Sequence, residues 1–232
     1  LEYLAALERD GRGSVELLRD LGVAYERLGD VQGATIEANL GEREQALASY
    51  RRSLALREEL VRRAPTIEHR LALLRMQVVL GEWLLSADTA DEARGLLEAA
   101  VRDADAALAA GVDDAQRRTV AAAYMTYGWS EWVGGRTDGG IARIEQALAL
   151  HERIAAADPT NRTARRDVAV AVGRLGLVHM SGTGRLEEAL RHYRRSFELL
   201  DALVREVPDD AELARSRTFA RLVVGKLLMQ LG

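Results

Sequence analysis

The chain has 232 residues, a formal net charge of −4 and no cysteine, which excludes disulfides and cysteine-ligated metal centres. Hydrophobic residues make up 48% and aromatic residues only 5%, a composition typical of helical proteins. The acidic balance argues against nucleic acid as a partner, since phosphate binding needs a basic surface. No apolar run reaches the roughly 18 residues needed for a membrane span, so we expect no membrane insertion by this segment.

Residues 1–10 come first and carry a helical pattern without a helix start. We interpret them as the tail of a preceding helix and expect the chain to be a piece of a longer protein. We expect a cytoplasmic location, with the extracytoplasmic side of a membrane-anchored parent protein as the alternative.

A glycine preceded by a large apolar residue then recurs in steps of 52, 47, 48 and 49 residues: Gly29, Gly81, Gly128, Gly176 and Gly225. After each of the first four comes a turn and a second helical stretch. That stretch opens on a small residue, has a bulky residue four positions later and another small residue three positions after that, as in Ala46, Tyr50 and Ser53. The pattern predicts a repeating unit of helix A, turn, helix B, turn, with a period near 48 residues.

Proline or glycine ends each B helix and sets the repeat boundaries. We place four repeats and a terminal helix that closes the array at about 14–64, 66–110, 113–158, 161–207 and 210–230. Helices of this kind expose one apolar face and must stack on their neighbours to bury it, so we expect one repeat domain over 1–232. Where helix A crosses helix B, the glycine allows close approach and the bulky residue fills the space opposite, as Tyr50 does for Gly29.

One helix B segment occurs almost twice, as EQALASYRRSLAL at 44–56 and EEALRHYRRSFEL at 187–199, three periods apart. Its arginine pairs, at 51–52 and 194–195, lie near glutamates on the same helices. We interpret them as a solvated face with helical ion pairs. A phosphate- or carboxylate-docking patch is the alternative.

Tyr25-x-x-Leu28-Gly29, followed by Ala46, Tyr50 and Ser53, resembles the tetratricopeptide repeat (TPR), although the unit is about 14 residues longer than the usual one of about 34. The resemblance implies an all-α, right-handed superhelical solenoid of antiparallel helix pairs, with the A helices lining a concave groove. The strings at 19–33 and 46–58 are also similar to the repeat regions C-terminal to bacterial serine/threonine protein kinases. This similarity implies a regulatory or docking segment of such a kinase, whose own catalytic motifs are missing here.

In such a stack, the residues three before and one or four after each key glycine point into the groove. The groove positions predicted on this basis also include Leu85 and Gly173, and the partner-binding residues are Glu26, Asp30, Val78, Glu82, Met125, Trp129, Trp132, Leu177 and Met180. The groove is thus predicted to be acidic at its start and apolar in the middle, and an apolar patch on a wet face marks an interaction site. The alternative is that the longer helices turn these side chains into the core.

Residues with catalytic or metal-binding chemistry form no recognisable motif, so we predict no catalytic, cofactor-binding or metal site. His179 and His192 lie on different helices of the fourth repeat and could meet, but we interpret them as structural. The acidic pairs at 113–114 and 209–210 are interpreted as helix caps. The glycine-rich stretches at 134–140 and 181–185 are interpreted as turns and not as phosphate loops.

These observations predict a non-enzymatic protein–protein interaction module that binds a peptide or a partner helix in the A-helix groove. Self-association that makes the parent protein a homodimer is one alternative, and an all-α enzyme or small-molecule sensor is another. The connection at 30–43 is longer than its counterparts, and it is either a functional loop or padding at the end of the array.

Overall fold

The structure is a computed structural model that describes residues 14–33, 40–86 and 89–232. Within these ranges the chain forms α-helices, one π-helical turn and no strand, so the all-α prediction is confirmed. The helices are α1 (Val15–Gly33), α2 (Arg43–Arg63), α3 (Ile67–Ser86), α4 (Ala90–Ala109), α5 (Asp114–Val133), α6 (Thr137–Ala157), α7 (Arg162–Val178), α8 (Leu186–Glu206) and α9 (Ala211–Leu231), and the π-helical turn His179–Thr183 follows α7. The predicted helix tail at 1–10 and most of the loop within the connection 30–43 lie outside the described residues.

The chain divides into two compact units, Leu1–Val112 and Asp113–Gly232. The division falls between the predicted second and third repeats. Within each unit, every helix packs against the next one along the chain, as in helical repeat proteins. Unit one contains α1 to α4, and unit two contains α5 to α9. The single repeat domain and its right-handed superhelical course stay predictions.

The helix boundaries follow local signals in the sequence. Asp113 begins α5 with a capping box, since its carboxylate accepts a hydrogen bond from the Gln116 backbone N–H at 2.8 Å and its own N–H donates to the Gln116 side chain at 3.0 Å. Asp210 caps α9 by accepting from the backbone N–H groups of Glu212 and Leu213, both at 3.0 Å. The capping role predicted for the two acidic pairs is therefore confirmed at Asp113 and Asp210.

The close approach predicted at the recurring glycines is also confirmed. A Cβ atom added to Gly29 would lie 2.6 Å from the Tyr50 ring, and one added to Gly176 would lie 2.8 Å from the Tyr193 ring. Gly81 and Gly128 are equally crowded by the B helices that follow them. Because real Cβ contacts are longer than this, each hairpin packs as it does only with glycine at the crossing.

The second small residue of helix B also forms a hydrogen bond that the repeat pattern did not predict. The hydroxyl of Ser53 donates to the carbonyl oxygen of Gly22 at 2.7 Å, and Ser196 donates to that of Ala169 at 2.9 Å. Both bonds are buried and cross from helix B to helix A. They stabilise the crossing at the same repeat position in unit one and in unit two.

Replacing Gly128 by alanine should lower the free energy of unfolding by about 1–3 kcal/mol. The added Cβ would lie 2.8 Å from the carbonyl oxygen of Gly140, a backbone atom that cannot rotate away. Gly225 is the matched control, because no atom lies within 4 Å of its added Cβ. Gly225→Ala should raise stability by up to about 1 kcal/mol through helix propensity. Urea unfolding measures both variants, and equal effects would contradict this account of the glycines.

The arginines of the duplicated segment are exposed, as predicted, but Arg51 and Arg195 pair with glutamates on a different helix. Arg51 on α2 pairs with Glu92 on α4 at 2.6 Å, and Arg195 on α8 pairs with Glu152 on α6. Each pair links two successive B helices within one unit. The glutamates of the arginines' own helices were the expected partners, and sequence proximity did not show that the next B helix lies within reach.

Candidate functional site

Unit two contains an open pocket of about 490 Å³ on the side formed by its A helices. Trp129 of α5 lies at one end, α7 and α9 form the walls, and α8 forms the floor. The lining side chains are mostly apolar or small: Trp129, Ala169, Val170, Gly173, Arg174, Leu177, Tyr193, Ser196, Leu200, Arg215, Ser216, Phe219 and Ala220. The volume lies within the roughly 300–1,000 Å³ typical of ligand sites in proteins.

The floor of the pocket exists because of the repeat packing described above. Tyr193 lies across the glycine crossing of α7 and α8, is 2% exposed, and meets Phe219 edge-on with ring centroids 6.4 Å apart. Burial raises the pKa of the Tyr193 hydroxyl to about 12, so the phenol is neutral at physiological pH. The Gly173 position has no side chain to occupy the space above this buried floor.

Two arginines make the rim of the pocket positive. The guanidinium of Arg174 lies over the ring of Trp129, 5.4 Å from its centroid, and Arg215 projects from α9. No acidic side chain is among the lining residues, all of which belong to the fully described stretch 113–232. The pocket thus combines an apolar floor with a cationic edge.

The structure separates the predicted groove residues of unit two into three settings. Trp129 and Leu177 line the pocket. Trp132 packs against Trp129, with ring centroids 4.6 Å apart, and lies outside the pocket lining. Met180 is half-buried in the π-helical turn, and Met125 is buried in α5. For Met125 the alternative interpretation holds, namely that the side chain belongs to the core.

The predicted groove residues of unit one lie in three different surroundings. Val78 is buried at 7% exposure, and Glu82 is half-buried. The carboxylate of Asp30 accepts a hydrogen bond from the Tyr50 hydroxyl at 2.9 Å, so part of the predicted acidic surface is engaged inside the unit.

Glu26, the first predicted groove residue, is 5% exposed and belongs to a buried ionic network. Its two carboxylate oxygens accept hydrogen bonds from Arg57 at 2.5 Å and from Arg75 at 2.7 Å. Arg57 also contacts the Ser53 hydroxyl at 3.3 Å and the Ala72 carbonyl at 3.2 Å. Burial lowers the pKa of Arg57, while the nearby Glu26 carboxylate raises it again. The network ties α1, α2 and α3 together.

Sequence reasoning missed the pocket residues that come from α9 and the arginine at its rim. Phe219 and Arg215 lie on the predicted terminal helix, which was expected only to close the array. Arg174 lies two residues before the key glycine of its helix. The groove prediction used only the positions three before and one or four after that glycine. The one signal that could have found Phe219 is that the terminal helix carries an aromatic residue without a following helix B to cover it.

The two histidines that the sequence allowed to meet do so. The rings of His179 and His192 are stacked, with centroids 5.2 Å apart and planes 4° from parallel. Burial is the main cause that lowers the pKa of each ring, and both are therefore neutral near pH 7. Glu188 lies beside them on α8.

Comparisons with known proteins identify no family for this chain. No family model matches it, and no curated protein matches it. Among the solved structures with low similarity to it is a de novo designed helical repeat protein, with 18% identity over 97% of this chain and 95% of that chain and a TM-score of 0.29. A filament named DHF79 has 17% identity over 92% of this chain and 99% of that chain, with a TM-score of 0.30. A protein from the computational design of self-assembling cyclic homo-oligomers has 12% identity over 99% of this chain and 92% of that chain, with a TM-score of 0.27. Likenesses at this level carry no conclusion about function.

The described helices were also compared with the requirements of a membrane span. None of them has both the length and the hydropathy needed to cross a bilayer.

Proposed function

We propose that this chain is a non-catalytic protein–protein interaction module, and that the pocket of unit two binds an apolar anchor side chain of a peptide or partner helix. The observation that carries the proposal is the apolar floor beside the arginine rim. Burial of one aromatic or aliphatic anchor in such a pocket is the usual source of affinity at an interface. The cationic rim adds a preference for an acidic residue or a C-terminal carboxylate next to the anchor.

Selection from a random peptide display library, with the whole chain as the target, tests this proposal. The enriched peptides should carry a large apolar residue next to aspartate, glutamate or a free C-terminus. Binding of a synthetic copy should weaken about 30-fold or more in Trp129→Ala and Phe219→Ala, because loss of an anchor contact at an interface costs about 2 kcal/mol or more. Fluorescence anisotropy of the labelled peptide measures the change.

Leu222→Ala is the matched control for Phe219→Ala. Both residues lie on α9 and are exposed, at 67% and 57%, but only Phe219 lines the pocket. The control should bind the peptide as the unaltered chain does. Peptides that bind Phe219→Ala and Trp129→Ala without loss would place recognition elsewhere and overturn the proposal, as would a selection that enriches nothing.

Self-association is a second candidate function, and a specific observation favours it. Helix α9 exposes several large apolar residues: Phe219, Leu222, Leu228, Met229 and Leu231. Helical spacing places Leu222 and Met229 on the same side of α9, and Met229 is 81% exposed. Exposed apolar side chains that share a helix face are typical of a contact between chains. Light scattering over a range of concentrations decides the question: a homodimer that Met229→Glu dissociates supports it, and a monomer at every concentration excludes it.

The parent protein is a further part of the proposal. The resemblance of the first repeat to TPR units, and of its two quoted strings to repeats that follow bacterial serine/threonine kinase domains, supports a regulatory or docking region of a larger signalling protein. A cytoplasmic location is part of this proposal, with the extracytoplasmic side of a membrane-anchored parent protein as the alternative. Sequencing of the complete reading frame upstream of Leu1 tests this directly.

A further inference from the structure

Three side chains with metal-binding atoms meet where the hairpin of α7 and α8 turns. His179 opens the π-helical turn after α7, and Glu188 and His192 lie one helical turn apart on α8. The candidate ligand atoms of the three residues all lie within 4.8 Å of one another. In the part of the chain that the structure describes, no other three such residues come this close.

Local structure explains why these residues converge. Residues four apart share one face of a helix, so Glu188 and His192 both lie on the side of α8 that meets His179. On the other helix, the chain leaves α7 through a π-helical turn, a wide and rare conformation that is frequent at functional sites. The hydroxyl of Thr183 donates to the His179 carbonyl at 3.0 Å, and Gly184 ends the turn with φ +67°, where glycine is favoured.

His179 provides a second observation at this site. The residue is 6% exposed, and its Nδ1 atom is buried with no hydrogen-bond partner among the described residues. A buried polar atom without a partner is costly, and native structures usually supply one. A bound metal ion can supply a partner for an imidazole in this setting.

Glu188 is paired with Arg191 through its Oε2 atom, so the metal ion would take the Oε1 atom of this carboxylate.

We propose that His179, Glu188 and His192 bind one divalent transition-metal ion such as Zn²⁺. Two imidazoles and one carboxylate form a common zinc ligand set with one position left for water, whereas Mg²⁺ and Ca²⁺ require oxygen ligands. Ligand atoms around a tetrahedral zinc ion lie about 3.3 Å apart. Binding therefore requires the half-buried side chains of Glu188 and His192 to rotate toward His179, which unstacks the two imidazole rings. The bound ion ties α7 to α8 and stabilises unit two, which departs from the sequence-based expectation of no metal site.

Isothermal titration of the metal-free chain with zinc chloride tests the proposal. We expect one ion per chain and a loss of affinity of at least tenfold in His192→Gln and Glu188→Gln. His69→Gln is the matched control, because His69 lies in unit one and its Nδ1 contacts the Ala64 carbonyl oxygen at 2.7 Å. It should bind zinc as the unaltered chain does. Magnesium chloride in place of zinc chloride should give no binding.

Thermal unfolding supplies a second readout. Zinc should raise the melting temperature of the unaltered chain and of His69→Gln, and should raise that of Glu188→Gln less at the same zinc concentration. Glu188→Gln keeps the size of a half-buried side chain, and its circular dichroism in EDTA should match that of the unaltered chain. If the chain does not bind zinc, or if Glu188→Gln and His192→Gln bind it undiminished, the proposal is wrong.

Discussion

Replacing Glu26 by alanine should lower the free energy of unfolding of unit one by about 3–5 kcal/mol, because it leaves a buried charge without its partner. The side chain of Arg57 is 8% exposed and pairs with Glu26 at 2.5 Å. In the variant, Arg57 keeps its contacts to the Ser53 hydroxyl and the Ala72 carbonyl oxygen but loses the carboxylate of Glu26. Urea unfolding followed by circular dichroism measures the loss.

Two further variants separate this effect from a general loss of contacts. Arg75→Ala removes the other partner of Glu26. The Arg75 side chain is 66% exposed, so its loss should lower the free energy of unfolding by less than about 1 kcal/mol. The double variant Glu26→Leu with Arg57→Met removes both buried charges and should recover most of the loss. If Glu26→Ala costs no more than Arg75→Ala, the buried pair does not stabilise unit one as described.

Replacing Tyr50 by alanine should also cost about 3–5 kcal/mol, for a different reason. Tyr50 is 2% exposed and belongs to a core cluster with Met76, Leu80 and Trp83. Removing the ring leaves a cavity over Gly29 that the rigid helix crossing cannot close. Fluorescence of Trp83, in a chain whose two unit-two tryptophans are replaced by phenylalanine, reports the unfolding of this unit alone.

Tyr50→Phe keeps the ring and loses the hydroxyl that donates a hydrogen bond to Asp30, so it should cost about 0.5–1.5 kcal/mol. A double-mutant cycle with Gly29→Ala then tests the crossing itself. Gly29→Ala should destabilise the unaltered chain and should be tolerated when residue 50 is alanine, because the added methyl group fills part of the cavity. Strictly additive effects of the two changes would show that Gly29 and Tyr50 do not form the predicted contact.

The predictions that held are those that rest on local spacing. Glycine and a bulky residue recur at fixed positions, and the structure brings Gly176 and Tyr193 together as it does the first such pair. The prediction of the groove residues also rests on spacing from the key glycines, but it assumes a particular rotation of each A helix about its axis. It therefore identified Trp129 and Leu177 of the pocket and also included Met125, which the structure buries.

The sequence alone determined the helices, their hairpin order and the glycine crossings, because caps, stop residues and helical periodicity act over a few residues. Only the tertiary structure decided how the side chains far apart in the chain combine. Glu26 meets an arginine 31 positions later, α9 completes a pocket with Trp129 of α5, and His179 stacks on His192 through a π-helical turn. These contacts depend on the rotation and separation of packed helices, which sequence periodicity does not specify.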